Sequence, residues 1–141
     1  MKTKAIIITL LLGAVVMLAS AIIFQSSTDV TVGPHNGTMK QSGNYYIEMK
    51  NGYSGFYTFL FDKKIKPVNN KGITCRAKFE FLDETTVNIQ LKPYESDGFS
   101  TESFHPEFLS CKIYFNVFGK QVTAEFGNEN LIVKKQKNDN N

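Results

Sequence analysis

The motifs on which common enzymes depend are missing from this sequence. Its two histidines, His35 and His105, do not lie in a recognisable nucleophile motif, and neither a glycine-rich phosphate loop nor a CxxC pair occurs. The acidic pair Asp83-Glu84 falls between two predicted strands, in a turn where acids are common. Because a hydrolytic triad needs a nucleophile, a base and an orienting acid, the sequence predicts a protein that is not an enzyme.

Arginine and tryptophan are also scarce. Arg76 is the single arginine, tryptophan is absent, and 16 basic residues stand against 13 acidic ones. Two of the 16, Lys2 and Lys4, belong to an N-terminal targeting segment, so the rest of the chain has 14 basic residues against the same 13 acidic ones. Nucleic-acid binding depends on clustered positive charge, so we expect no nucleic-acid partner. The end of the chain, 134–141, is typical of a solvated basic tail.

The first 24 residues have the pattern of a targeting segment. Lys2 and Lys4 precede a run, 5–24, that contains no charged residue. One alternative is a signal peptide cleaved after the small residues of 19–21, and the other is an uncleaved anchor that spans the bilayer. Both export the domain, to the periplasm or the extracellular space, or held at the inner membrane by its N-terminus. We expect membrane contact only through 5–24, if that run is retained.

The remainder of the chain has the pattern of short β-strands. A polar segment, 25–43, is predicted to be a linker, and 44–133 is predicted to be the folded domain. Apolar and polar residues alternate along six or seven predicted strands, at 45–50, 55–62, 73–82, 86–93, 111–117, 121–126 and 131–135. This spacing predicts an all-β domain of antiparallel, immunoglobulin-like β-sandwich type, with a small β-barrel as the alternative.

The two cysteines of this exported chain predict one disulfide bond. Cys75 and Cys111 each share a strand face with apolar residues, so both sulfur atoms are expected to point into the same core. The alternative is a pair of buried free thiols. Without a CxxC motif, the role of the pair is structural.

Three stretches resemble a known family. They are GPHNGTMKQSGNYYIE at 33–48, KGIT at 71–74 and FGKQVTAEF at 118–126. They are similar to a poorly characterised family of small exported β domains that occur near heavy-metal efflux adaptor proteins. His35 matches the first histidine of that family and Glu48 is retained, whereas Tyr46 stands where its strand histidine would be. The resemblance implies a metal-associated accessory of copper-like efflux, with an efflux adaptor as its partner.

Four side chains are candidate metal ligands, namely His35, Met39, Glu48 and His105. An imidazole together with a thioether suits copper better than calcium or magnesium, and zinc is an alternative. His35 would be the anchor, because the glycines and the proline around it favour an exposed turn. His105 would contribute only if its loop folds over that end of the sheet. The alternative is that these four are ordinary surface or gap-filling residues.

Aromatic residues in and around the long loop 94–108 suggest a second kind of function. The candidates for a docking surface are Tyr94, Phe99, Phe104 and Phe108. Exposed aromatic clusters mark interfaces, so the domain would dock a protein or a glycan through them. The absence of tryptophan weakens the glycan version. The alternative is that the sheets simply bury these rings.

Overall fold

A computed structural model describes residues 31–52, 54–102 and 107–128 of the chain. Over these ranges the protein is all-β, which confirms the predicted class, and it contains nine strands and no helix. The strands are Thr31–Val32 (β1), Thr38–Ser42 (β2), Tyr45–Gly52 (β3), Gly55–Asp62 (β4), Ile73–Glu80 (β5), Thr86–Tyr94 (β6), Gly98–Ser100 (β7), Ser110–Val117 (β8) and Lys120–Gly127 (β9).

All nine strands of this part belong to one antiparallel sheet in the order β1-β2-β3-β4-β7-β6-β5-β8-β9. Most neighbours are hairpins with short turns. The turn between β8 and β9 has Phe118 and Gly119 in the left-handed region, at φ 51° and 87°, as a two-residue hairpin turn requires. There are two exceptions to simple hairpin order: β7 is inserted between β4 and β6, and β8 pairs with β5.

The sheet is curled, so that its two ends approach each other. The Lys40 ammonium on β2 donates a hydrogen bond to the carbonyl oxygen of Glu125 on β9, at 2.5 Å, and lies 5.3 Å from the centre of the Phe126 ring. Lys120 on β9 likewise lies 5.7 Å from the centre of the Tyr45 ring on β3. The concave face therefore encloses the core.

The core consists of the inward side chains of alternating strands. Along β5 the pattern is strict, with Ile73, Cys75, Ala77 and Phe79 buried and the residues between them exposed. Strand β8 shows the same alternation from Cys111 onward. Aromatic rings fill the centre, and the edge of the Phe56 ring meets the face of Phe79 at 5.0 Å between centroids. This core matches the inward faces that the sequence predicts for β5 and β8.

The cysteine prediction is right about the face and wrong about the bond. Cys75 and Cys111 are both buried in the core on adjacent strands, but both are free thiols. In the register of β5 and β8, Cys75 lies opposite Phe115 and Cys111 lies opposite Phe79. The two are thus four residues out of step, about 13 Å along the strands. A disulfide requires Cα atoms within about 7 Å, so this register excludes the bond.

The folded region begins earlier than the sequence suggests. Strands β1 and β2 lie inside the segment 25–43 that is predicted to be a linker, and they pair with each other and with β3. The long loop 94–108 likewise contains β7, which pairs on both sides. These two differences raise the strand number above the predicted six or seven.

Several predicted features lie outside the described residues. They are the targeting segment 1–24, the start of the linker at 25–30, the strand at 131–135 and the tail at 134–141. Across the ranges that are described, no helix is both long enough and apolar enough to cross a membrane.

Candidate binding site

A turn from Gly33 to Gly37 folds over the convex face of the sheet. Two backbone hydrogen bonds close it, from Gly33 N to Gly37 O at 2.9 Å and from Asn36 N to Gly33 O at 3.0 Å. Asn36 adopts a left-handed conformation with φ 62°, which asparagine tolerates better than most residues. The turn connects β1 to β2, so it lies directly above the side chains that β2 and β3 present to this face.

The carboxylate of Glu48 holds this turn in place. Its Oε1 accepts hydrogen bonds from the backbone N–H groups of His35 at 2.9 Å and Gly37 at 2.8 Å. Its Oε2 lies 2.8 Å from Nδ1 of the His35 ring. Glu48 has no exposed surface, so these bonds replace the water that a carboxylate would otherwise bind. The sequence gives Glu48 as a candidate ligand, and the structure makes it the anchor of the turn.

The glycines of the turn are required by this close approach. A Cβ atom on Gly33 would lie 2.3 Å from Cδ of Glu48, and one on Gly37 would lie 2.5 Å from the carbonyl oxygen of Met49. Real Cβ atoms do not approach other atoms so closely. Glycine at 33 and 37 therefore allows the turn to pack closely over the buried carboxylate of Glu48.

Beneath the turn lies a small aromatic layer. The His35 ring stacks on Phe59 with centroids 3.6 Å apart, and it is tilted against Phe61 at 6.0 Å. Phe59, Phe61 and Met39 are buried together in this layer. Phe59 in turn lies over Gly98 of β7, where a Cβ atom would meet its ring at 2.7 Å. His35 thus forms the outermost part of a stack that continues down to the sheet.

The structure brings three of the four predicted metal ligands close together. Two of them, Glu48 and Met39, are not free to bind a metal ion in this arrangement. Glu48 and Met39 are opposite each other on β3 and β2, and Glu48 bonds His35. However, both oxygens of Glu48 are already bonded, and Met39 is only 4% exposed. No group of three or more His, Cys, Asp or Glu side chains that could hold a metal ion exists in the described ranges. His105 lies outside them.

Next to the turn, a groove of about 520 Å³ crosses the convex face. We call it the aromatic groove, and its lining residues are His35, Lys50, Gly52, Ser54, Tyr57, Phe59, Tyr94 and Glu95. The rings of Tyr57 and Tyr94 meet edge to face, with centroids 4.9 Å apart. The Tyr57 hydroxyl is 2.9 Å from the hydroxyl of Ser54. Two half-exposed rings, three hydroxyl groups, an ammonium and a carboxylate therefore line one groove.

His35 presents one free ring nitrogen beside this groove. The Nδ1 atom faces Oε2 of Glu48, so Nε2 is the ring nitrogen that is left for a ligand. The side chain is 32% exposed, and it lines the groove. The bond to the buried Glu48 fixes the orientation of the ring, which makes His35 a rigid part of the groove wall.

Carboxylates raise the pKa of the Tyr94 phenol above its usual value of 10.0. The charge of Glu95 is the largest cause, and Asp97 adds to it. A side-chain hydrogen bond to Glu95 is a further cause, so Glu95 and the Tyr94 hydroxyl act together at the edge of the groove.

Of the four residues predicted to dock a partner, the structure places only Tyr94 on the surface. Tyr94 is 37% exposed, whereas Phe99 and Phe108 are 2% exposed and belong to the core. The prediction is wrong for these two because β7 points Phe99 inward onto Phe115, and Phe108 packs against Phe56 and Phe79. Phe104 lies outside the described residues.

Sequence reasoning missed the other side of the groove. Tyr57 is partly exposed on β4, a strand in which almost every other side chain is buried. A run such as GFYTFLF gives no face preference, since both faces of the strand are covered in the fold. One feature of the sequence does indicate that Tyr57 faces solvent. The β3–β4 hairpin pairs Tyr57 with Lys50, a charged residue that is exposed.

Comparison with known proteins finds no matching family model, no matching curated protein and no matching solved structure. The resemblance to efflux-associated domains is therefore still a prediction.

Proposed function

We propose that this protein is a non-enzymatic, exported docking module that binds a segment of a partner protein in the aromatic groove. The observation that carries the proposal is the half-exposed pair of Tyr57 and Tyr94 beside the fixed stack of Phe59 and His35. Tyrosine contributes a large rigid contact area at low conformational cost and is enriched where proteins bind each other. A pre-organised surface of this kind loses little entropy when it binds.

The charges at the rim favour a protein segment as the ligand. Lys50 and Glu95 both line the groove, so an extended peptide with its own polar backbone and mixed charges is complementary to it. The volume of about 520 Å³ suits one or two side chains, which is the size of an interface anchor. An efflux adaptor, the partner that the family resemblance implies, is the first protein to test.

Metal association fits this site less well. The resemblance implies a copper-like metal, but Glu48 is fully used by the turn and Met39 is packed among phenylalanines. Among the candidate ligands that the structure describes, one imidazole nitrogen of His35 is the remaining donor. A single nitrogen is not a copper or zinc site of useful affinity, because protein sites for these metals use three or four ligands.

Two further features belong to this proposal. The single curled sheet, in which every described strand is hydrogen-bonded to a neighbour, supports the small-barrel alternative over an immunoglobulin-like sandwich.

Export is proposed from the pattern of the first 24 residues, and intact mass spectrometry of protein from the cell envelope tests it. A mass lacking residues 1–21 supports the signal peptide, full-length protein in the membrane supports the anchor, and full-length cytoplasmic protein rejects export.

The docking proposal can be tested with a random peptide library displayed on phage and selected against the purified protein. Selected peptides should bind the wild type at least about tenfold more tightly than Tyr94→Ala, because truncation of an interface anchor commonly costs that much. Phe118→Ala is the matched control, since Phe118 is an exposed aromatic residue in the β8–β9 turn that does not line the groove. Peptide binding that is equal in all three proteins would reject the groove. Binding to a glycan array that is lost only in Tyr94→Ala would replace the protein ligand by a glycan.

A further inference from the structure

The convex face of β5 and β8 carries a cluster of positive charge. Arg76 and Lys78 on β5 and Lys112 on β8 point to this face, and Lys78 lies directly opposite Lys112. We call these three residues, with Tyr114, the basic face. None of the three cations makes an ion pair with any described residue.

One contact on this face is unfavourable, the pair of Lys78 and Lys112, while Glu80 on β5 shares their face. Like charges placed directly opposite each other on adjacent strands repel and reduce stability. Glu125 on β9 lies opposite Lys112 on the other side, yet the two do not form an ion pair. A repulsive pair of this kind is relieved when an anion binds between its members.

Tyr114 fixes the position of the strongest donor. The Arg76 guanidinium carbon lies 3.8 Å from the centre of the Tyr114 ring, and Lys112 Nζ lies 5.4 Å from the same centre. The ring thus attracts both cations and keeps them close together. A guanidinium that stacks by its face leaves its N–H edge free, and that edge matches a carboxylate with two parallel hydrogen bonds.

Around the cations, the face is polar and rich in amide and hydroxyl groups. Gln90 on β6, Asn116 on β8 and Gln121 on β9 line a shallow groove of about 350 Å³ together with Arg76 and Tyr114. None of the large apolar side chains that are exposed in the described ranges lines this groove; they are Val32, Ile65, Leu82, Val87, Tyr94 and Phe118. A membrane surface or an apolar protein interface would use such side chains, whereas a hydroxyl-rich ligand uses amides.

From these observations we infer that the basic face binds an acidic polysaccharide, with a carboxylate on Arg76 and the adjacent lysines and with sugar hydroxyls on the side chains of Gln90 and Gln121 and on the amide nitrogen of Asn116. This site is distinct from the aromatic groove, and neither depends on the other. Exposed ion pairs are weakened by salt, so the affinity is expected to fall as ionic strength rises.

A titration of the full-length protein with a galacturonate hexamer tests the inference, with a neutral maltohexaose as the control sugar. The acidic hexamer should bind and the neutral one should not. Arg76→Gln should weaken binding about tenfold, because it removes a charge-assisted hydrogen-bonding pair. Lys64→Gln, which removes the same charge from an exposed turn between β4 and β5, should change it less than about twofold.

Lys112→Gln provides a second variant on another strand, and it should weaken binding in the same direction as Arg76→Gln. Equal binding by the wild type, Arg76→Gln and Lys112→Gln would overturn the inference. It would also fail if vesicles containing phosphatidylglycerol, or inorganic phosphate alone, competed fully with the hexamer at equal charge concentration. A Tyr94→Ala variant should bind the hexamer normally, which separates this site from the aromatic groove.

Discussion

The imidazole of His35 lies parallel to the phenyl ring of Phe59, with 3.6 Å between the ring centroids and 8° between the ring planes. This contact, with the bond from His35 to the buried Glu48, joins the segment before β2 to the convex face of the sheet. His35 is thus part of the packed structure, and it forms one wall of the aromatic groove.

Glu48→Gln should reduce the free energy of unfolding by about 1–3 kcal/mol. The glutamine keeps an acceptor for the two backbone N–H groups but loses the charge that holds His35 Nδ1. Urea unfolding measures the loss. Glu102→Gln is the control, since Glu102 is 61% exposed and pairs only with Lys92 at the surface, so its loss should stay below about 1 kcal/mol. Equal effects of the two changes would contradict the anchoring role of Glu48.

Gly98→Ala should destabilise the protein by about 1–3 kcal/mol, because the new methyl group overlaps the Phe59 ring. Gly52→Ala is the matched control on the neighbouring hairpin, where the nearest atom to a new Cβ is the carbonyl oxygen of Gly55 at 3.9 Å. Thermal unfolding of both variants gives the comparison. A stable Gly98→Ala protein with an unchanged Phe59 environment would show that the stack is loosely packed.

Both cysteines should be free and unreactive in the folded protein. Burial raises the pKa of the Cys75 and Cys111 thiols, so the reactive thiolate is suppressed. Iodoacetamide should modify neither residue under native conditions and both residues in denaturant, without a reducing agent. Mass spectrometry measures the labelling on protein purified from cells. If neither cysteine is labelled even in denaturant, the two are joined by a disulfide bond and the free-thiol assignment is wrong.

The same thiols predict a loss of stability at high pH. Their pKa values lie above the ordinary value of 9.0, so the unfolded state loses these protons first as pH rises. The stabilisation is complete below pH 9 and decreases above it, by about 1.4 kcal/mol per pH unit for each thiol. The double variant Cys75→Ala/Cys111→Ala should show a flatter decline between pH 9 and 10.5. Parallel stability curves for the two proteins would contradict this.

Copper and zinc titrations should not distinguish the wild type from His35→Ala. The described residues offer no set of three donors, so any binding should be weak and equal in both proteins. His35→Ala should nevertheless lower the melting temperature, since it removes the stack on Phe59 and one bond to Glu48. Submicromolar copper binding that His35→Ala abolishes would revive the metal interpretation.

Alternation along single strands could be predicted from the sequence, but the pairing between strands could not. The pattern of Cys75, Ala77 and Phe79 gives the correct inward face, because side chains alternate whatever the neighbour is. The offset between Cys75 and Cys111 depends on the β5–β8 register, which no local motif specifies.

The burial of Glu48 and of Phe99 could not be predicted from the sequence either. Glu48 sits in an alternating strand where an acid normally faces water, and it is buried only because the distant Gly33–Gly37 turn covers it. The sequence predicts a loop around Phe99. In the structure this segment is β7, which pairs with both β4 and β6 and turns the Phe99 ring inward. Both differences arise from contacts between segments far apart in the chain.

The early start of the sheet also determines where the chain can be shortened. A fragment beginning at Asn44, as the strand pattern suggests, would lack β2 and leave the backbone N–H and C=O groups of β3 unpaired along one edge. Exposed strand edges recruit other chains, so such a fragment would tend to aggregate. The fragment would also lack the His35 N–H, the His35 ring and the Gly37 N–H, which are the three groups that bond Glu48. Without the turn, Phe59 and Phe61 would lose their cover as well. A fragment for expression should therefore begin no later than Thr31.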